Sequence, residues 1–191
     1  HSSSAASDVY KRQGQYQSEN FGLVQIVSAY VPNGQSLDSE KFQYKILWLK
    51  SFIKWIKDLL ANNKHVILTG DFNIAPNDED CHDPEQWIGK NLVSPIEREY
   101  FNKIIDNGFN DSFRFLNPND QKFSWWDYRM AGYKRNLGMR IDHILTSKSL
   151  KNQLFKSYID ESPRKLERPS DHTPVITCLL YTSPSPRDRV Q

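Results

Sequence analysis

The chain predicts an α/β sandwich. Apolar runs of strand length alternate with two helical stripes, and the strand-like runs outnumber the helices. No internal repeat or low-complexity tract interrupts residues 14–180. A length of 191 residues suits one domain with a sizeable core.

Leu23 to Val31 reads as a buried strand, stopped by Pro32-Asn33-Gly34. Phe42, Ile46, Leu49, Ile53, Ile56 and Leu60 then recur at steps of three and four. They predict one face of a long helix, with Lys45, Lys50, Lys54 and Lys57 off that stripe. Asn62-Asn63 ends it, and His65 to Thr69 predicts a short apolar strand running into Gly70-Asp71. Ser94-Pro95 starts a second helix through Ile96, Tyr100, Ile104 and Ile105, closed by Asn107-Gly108. Further strands are expected near 111–115, 123–126, 139–146, 155–160 and 174–180. Residues 1–13 are Ser/Ala-rich, and 181–191 carry prolines without periodicity. Both read as non-native tails, so the folded part is expected at 14–180.

Mean hydropathy is −0.70, and no apolar run approaches the ~18 residues of a membrane helix. Cys81 and Cys178 do not form a metal-ligand spacing, and the chain opens on no charged-then-apolar leader. A reduced, cytoplasmic setting without a membrane partner is the expectation. The net charge of +2 hides an asymmetry. Residues 71–121 hold 11 acids and 4 bases, and residues 122–168 hold 11 bases and 5 acids. An acidic half that can collect metal beside a basic half suits a polyanionic substrate.

Three segments at strand ends carry chemistry. In Gly70-Asp71-Phe72-Asn73 an extended backbone would turn Asp71 and Asn73 to one face. A carboxylate there can take a proton from water, and the amide can donate to a phosphoryl oxygen; the competing reading is an ordinary turn. Ser170-Asp171-His172 places a carboxylate and an imidazole at one rim. In Arg140-Ile141-Asp142-His143, alternation sends Arg140 and Asp142 to one side. Asp142, flanked by apolar residues, needs a partner, either His172 or Arg140. His143 points the other way, as a surface or core histidine. The segment from Phe123 to Arg129 concentrates aromatic side chains, and it reads as a stacking wall or as a core cluster. Alternation would send Trp125 and Trp126 to opposite sides. Tyr30 closes the first strand, where a phenol could hydrogen-bond a phosphate.

In this order the segments resemble the exonuclease III family of Mg²⁺-dependent apurinic/apyrimidinic endonucleases, within the endonuclease/exonuclease/phosphatase superfamily. The resemblance spans about residues 20–180. It implies a four-layered α/β sandwich, two mixed β-sheets flanked by helices. It also implies a DNA phosphodiesterase of base-excision repair, a monomer acting on duplex DNA at abasic sites and 3′ ends. Mg²⁺ is the implied cofactor, with Mn²⁺ as the alternative. Tyr30, Asp71, Asn73, Asp142 and His172 become the catalytic set, with Asp71 as base and Asp142 orienting His172. Asp71, Asn73, Asp171 and His172 surround the metal, while Trp125, Arg129, Met139 and Ile141 bind substrate. Family members carry further residues before the tyrosine strand, including a metal-binding Glu, so 14–180 is expected to be the C-terminal two thirds of the domain. The alternatives are a superfamily phosphatase acting on a lipid or nucleotide, or an inert piece lacking that Glu.

Overall fold

The computed structural model describes residues 16–21 and 24–180. The expected tails at 1–13 and 181–191, and Leu23 at the head of the first expected strand, lie outside the described residues. A mixed five-stranded sheet organises the chain. It is built from β1 (Tyr16–Phe21), β2 (Val24–Ala29), β3 (His65–Asp71), β4 (Phe109–Asp111) and β7 (Asp142–Ser147), in the order β1-β2-β3-β7-β4. Only β2 and β3 run parallel. A parallel pair needs a crossover, and α1 (Glu40–Asn62) supplies it. Two antiparallel ribbons complete the sheets: β5 (Trp125–Trp126) with β6 (Gly138–Met139), and β8 (Leu154–Ile159) with β9 (Val175–Leu179). This is the expected mixed α/β architecture, with sheets flanked by helices. Among the described residues no helix is long and apolar enough to cross a membrane.

Helix α1 starts where the Ser39 side chain accepts from Phe42 N. It buries Trp48, Leu49, Phe52 and Ile56 against Val27, Val66, Leu68 and Leu145 of the sheet. Its buried face is rotated from the expected stripe. Ile46, Ile53 and Leu60 are only partly buried, and Lys45, expected on the solvent side, is fully buried. Helix α2 (Pro95–Asp106) opens with a reciprocal cap between Ser94 and Glu97, and Pro95 fills the first turn. Tyr100, Phe101 and Ile104 join the same core, whereas Ile96, expected inside, is exposed. The strand expected at 111–115 ends at Asp111, whose carboxylate accepts from Arg114 N and starts the short helix α3 (Ser112–Leu116).

Gly70 shows why the catalytic-looking strand end needs glycine. Its φ is +134°, and a Cβ there would lie 2.0 Å from the Ala29 carbonyl oxygen. The absence of a side chain lets β2 and β3 close up beside Tyr30 and Asp71.

Candidate active site

Register builds the site. In the antiparallel β3–β7 pair, Asp71 lies directly opposite Asp142. Like charges across a ladder repel, so this pairing needs a counter-charge. His172 supplies part of it: its Nδ1 lies 2.8 Å from Asp142 Oδ2, the partnership weighed above against Arg140. Ser124 Oγ donates to the same oxygen at 2.7 Å and accepts from the backbone N–H groups of Ile141 and Asp142. With Nδ1 donating to Asp142, the other imidazole nitrogen of His172 is free for the cleft. Loop 170–173 is tied down by Trp126 N donating to Asp171 O and Thr173 N donating to Ser124 O.

Asp71, Asp142 and His172 each offer a ligand atom, and these atoms lie within 4.8 Å of one another. Burial, and then the Asp142 charge, push the Asp71 carboxyl up to about 7, against the pull of His172 and Lys45. Burial lowers the His172 imidazole, but the hydrogen bond to Asp142 and the charges of Asp142, Asp71 and Asp171 outweigh it and leave it raised. Two half-buried carboxylates with one imidazole form a negative pocket of oxygen and nitrogen donors. That donor set fits a divalent cation.

Asn73 reaches Asp71 by a turn, not by the expected extended alternation. β3 ends at Asp71, and Asn73 has φ +50°, the left-handed region that Asn tolerates better than most residues. Its N–H donates to Asp71 Oδ1 at 2.8 Å and its amide Nδ2 donates to Asp71 Oδ2 at 3.0 Å. Nδ2 also donates to the Val31 carbonyl, while Asn33 Nδ2 donates to Asn73 Oδ1. Asn73 therefore grips Asp71, and donation to a phosphoryl oxygen would require releasing one of these bonds.

Behind the turn lies a group that helical periodicity misplaces. Lys45 Nζ donates to the Asn73 carbonyl at 2.7 Å, to the Asn33 carbonyl at 3.3 Å and to Glu97 Oε1 at 2.5 Å. Both partners of that ion pair are fully buried. Glu97 also accepts from Leu92 N, Ser94 N and Ser94 Oγ, so its lone pairs are used. One ammonium thus holds the carbonyls of the two asparagines beside Asp71.

Arg140 does not share a face with Asp142. The extended pairing breaks between Met139 and Asp142, and Arg140 N donates to the Asp80 carbonyl instead. The guanidinium turns to the far side of the sheet, with Nε on Asp80 Oδ1 at 2.7 Å and Nη2 2.8 Å from Asp111 Oδ2. His143 is a core histidine, 1% exposed, whose Nδ1 lies 3.0 Å from Arg140 and whose Nε2 lies 2.9 Å from the Ile74 carbonyl.

The open cleft above these groups, about 410 Å³, is lined in part by Tyr30, Trp125, Arg129, Ile141, Asp171 and His172. Trp125 faces it, while Trp126 is fully buried, which is the split that alternation predicts. Asp171 sits at the rim, where its Oδ2 accepts from Trp125 Nε1 at 3.1 Å; it stands outside the tight three-residue cluster. Arg129 is exposed and paired with Asp127. Met139 is fully buried in a small core with Ile141, Cys81 and Leu92, against which Trp125 packs, and is not among the residues lining the cleft. Burial and the Asp71 charge hold the Tyr30 phenol above its ordinary value, so it keeps its proton at neutral pH. Sequence reasoning missed Ser124, Asn33, Lys45 and Asn91, whose Nδ2 donates to the carbonyl and the Oδ1 of Asn33. The one usable signal was position: Asn33 follows Tyr30 closely, and Ser124 precedes Trp125.

Comparison with known proteins places these features in context. Residues 9–172 match the model of the Endonuclease/Exonuclease/phosphatase family. The chain is 36% identical over 163 residues to the exodeoxyribonuclease III of Haemophilus influenzae, covering 81% of this chain and 61% of that protein. It is similar to the 3′ phosphatase NExo from Neisseria bound to product DNA hairpin, with 40% identity and a TM-score of 0.84, covering 86% of this chain and 64% of the other. An AP endonuclease from Archaeoglobus fulgidus is 33% identical with a TM-score of 0.78, over 82% of this chain and 61% of the other. The chain spans less than two thirds of the length of these relatives.

Proposed function

The chain belongs to the endonuclease/exonuclease/phosphatase family, and on that premise we propose that it hydrolyses DNA phosphodiester bonds as an abasic-site endonuclease and 3′–5′ exonuclease of exonuclease III type. The observation that supports this most is the opposition of Asp71 and Asp142, with His172 bonded to Asp142, beside a cleft lined by Asp71, His172 and Trp125. A divalent cation, Mg²⁺ or Mn²⁺, would be held by the carboxylates of Asp71 and Asp142 with Asp171 at the rim, and when bound it would neutralise charge on the scissile phosphate.

The residues of the chain supply the rest. Asp71, gripped by Asn73, takes the proton from the attacking water; a carboxyl raised to about 7 is well matched to that task near neutral pH. His172 presents its free nitrogen to a phosphate oxygen, in a tautomer fixed by Asp142 and Ser124. Tyr30, with its proton retained, donates from beside Asp71 in the lining of the same cleft. Trp125 and Ile141 offer an apolar face to a sugar that lacks its base.

The test is cleavage of a duplex carrying one abasic-site analogue, beside a duplex with a 3′-phosphate end and a phosphoinositide. We expect the abasic duplex to be nicked with Mg²⁺ and left intact with chelator. Asp71→Asn or His172→Ala should lower turnover by about 10²–10⁴ with duplex binding nearly kept. Equal loss of binding and turnover would sink these assignments. Preference for the phosphoinositide would replace the substrate class, and full inactivity of the unaltered chain would show that it lacks part of the machinery.

A further inference from the structure

Of the eleven basic residues in 122–168, Arg129 alone is among those lining the cleft just described. The most unusual of the others is Arg164. The side chain is buried, 5% exposed, at the turn before loop 170–173. Its guanidinium lies 4.9 Å from the Tyr133 ring centre, 5.6 Å from Trp126 and 5.8 Å from Tyr128. Cation–π contact of this kind stabilises the charge but satisfies no N–H group. Among the described residues Nε and Nη1 have no hydrogen-bond partner. A buried guanidinium with idle donors seeks an acceptor.

The surroundings say which acceptor. Arg164 lines an open cleft of about 430 Å³ between loop 127–134 and turn 163–169. Lys134 and Lys165, both exposed, stand on its rim. The one carboxylate lining it, Asp127, is bound through both oxygens by Arg129. The cleft is therefore lined by three cationic side chains, the Arg164 guanidinium and two ammonium groups, against one carboxylate already paired. That combination suits a tetrahedral oxyanion, because a guanidinium fork matches two phosphate oxygens and lysines attract without demanding geometry. Asp127 also lines the catalytic cleft, so the two depressions adjoin.

We propose that the Arg164 cleft is a phosphate-binding subsite, separate from the Asp71–Asp142–His172 cluster, which takes a backbone phosphate of the duplex beside the one being cut. The duplex half of this statement rests on the proposed function; the phosphate half stands on the cleft alone.

Two measurements separate them. The first is a titration of the metal-free chain with inorganic phosphate against chloride of equal ionic strength, followed through the Trp126 indole N–H and the Gly132 and Tyr133 amides by NMR. Saturable shifts are expected at these groups. They should weaken by about tenfold in Lys134→Ala/Lys165→Ala, a surface variant that keeps the fold, and vanish in Arg164→Met if its spectrum remains dispersed. Absence of saturable shifts, or shifts unaltered in the surface variant, overturns the subsite. The second is duplex affinity against salt concentration with divalent ions withheld. The surface variant should lose about one unit of the log–log slope, the share of one phosphate contact. Phosphate shifts with an unchanged duplex slope would make the ligand free phosphate and overturn the duplex half. If the chain cuts no abasic duplex yet shows the shifts and the slope change, the catalytic reading fails and the subsite remains.

Discussion

Two clusters flank the start of β7, and they are built from nearly the same parts. In front lie Asp71, Asp142 and His172; behind lie Asp80, Asp111 and His143. Each holds two carboxylates and one histidine. The difference is arginine: Arg140 joins both rear carboxylates, and Arg114 adds a second bond to Asp80. Proton affinities divide accordingly. Burial raises every one of the rear carboxyls, yet the Arg140 charge overrides it, and Asp80 and Asp111 end below their ordinary range. Asp71, with no such partner, is pushed up to about 7. The histidines mirror this, with His172 raised by its carboxylates and His143 lowered by burial and Arg140. Buried charge with its counter-ion supplied is framework. Buried charge only partly balanced can be completed by a cation, and a functional site can be recognised by that imbalance.

The contrast breaks most visibly at Arg140. Arg140→Met strands two buried carboxylates and should cost about 3–5 kcal/mol of unfolding free energy, read by urea titration. Asp71→Asn should act in the opposite direction in chelator at pH 8, adding about 1–2 kcal/mol by relieving repulsion, although with Mg²⁺ present it lowers turnover by about 10²–10⁴. Destabilisation of similar size in both variants would erase the distinction.

Next comes Lys45, the cation that serves the front from behind. Lys45→Met leaves Glu97 buried alone and should cost about 3 kcal/mol, much of it recovered in Lys45→Met/Glu97→Gln. Turnover should stay low in the double variant, because the Asn73 carbonyl loses its Lys45 donor and the Asn33 carbonyl keeps only that of Asn91. Full recovery of turnover would reduce Lys45 to a stability element.

Acidity gives the third and subtler measurement, again without divalent ions. Asp71 and His172 have raised values, so their contribution is complete below their unfolded values, about 3.9 and 6.5, and is lost as pH rises through the folded ones. Asp80, Asp111 and His143 have lowered values, so theirs is complete above the unfolded values and is lost as pH falls through the folded ones. Stability attributable to the front should therefore rise from pH 7 toward pH 4, while that of the rear fails on further acidification. Subtracting the Asp71→Asn profile from the parent isolates the front. A difference profile that is flat between pH 4 and 7 would contradict the raised Asp71.

The smallest expected effect belongs to Ser124→Ala, which frees the Ile141 and Asp142 N–H groups and loosens Asp142: about 1–2 kcal/mol in stability, with turnover reduced about tenfold and KM little changed. A change confined to KM would place Ser124 in binding instead.

How much of this could be seen beforehand follows from range. Helix caps, strand ends and the Asp-Phe-Asn, Ile-Asp-His and Ser-Asp-His segments are local patterns, and local patterns are readable. That a half-buried Asp142 needs a partner was legible, but the choice between His172 and Arg140 was open until the fold brought Nδ1 of His172 to it. Lys45 was misplaced because a stripe defined by apolar residues cannot tell which polar neighbour shares its face. Only Glu97, 52 residues away, makes that lysine buriable. Arg140 was misdirected because alternation was carried through a break between β6 and β7. The strand expected at 111–115 failed for a local reason, the Asp111 cap, that the sequence did contain.

The register of β3 and β7 has a kinetic consequence. Asp71 and Asp142 are about 70 residues apart in the chain, and their opposition exists only once that loop has closed. His172 must then dock from a third segment. Contacts of such range form slowly, so a collapsed chain with its helices in place still has no cation site. A divalent ion that binds the native arrangement alone would hold the final closure by mass action. Uptake of the ion during refolding would then date the moment at which the site, as distinct from its scaffold, comes into being.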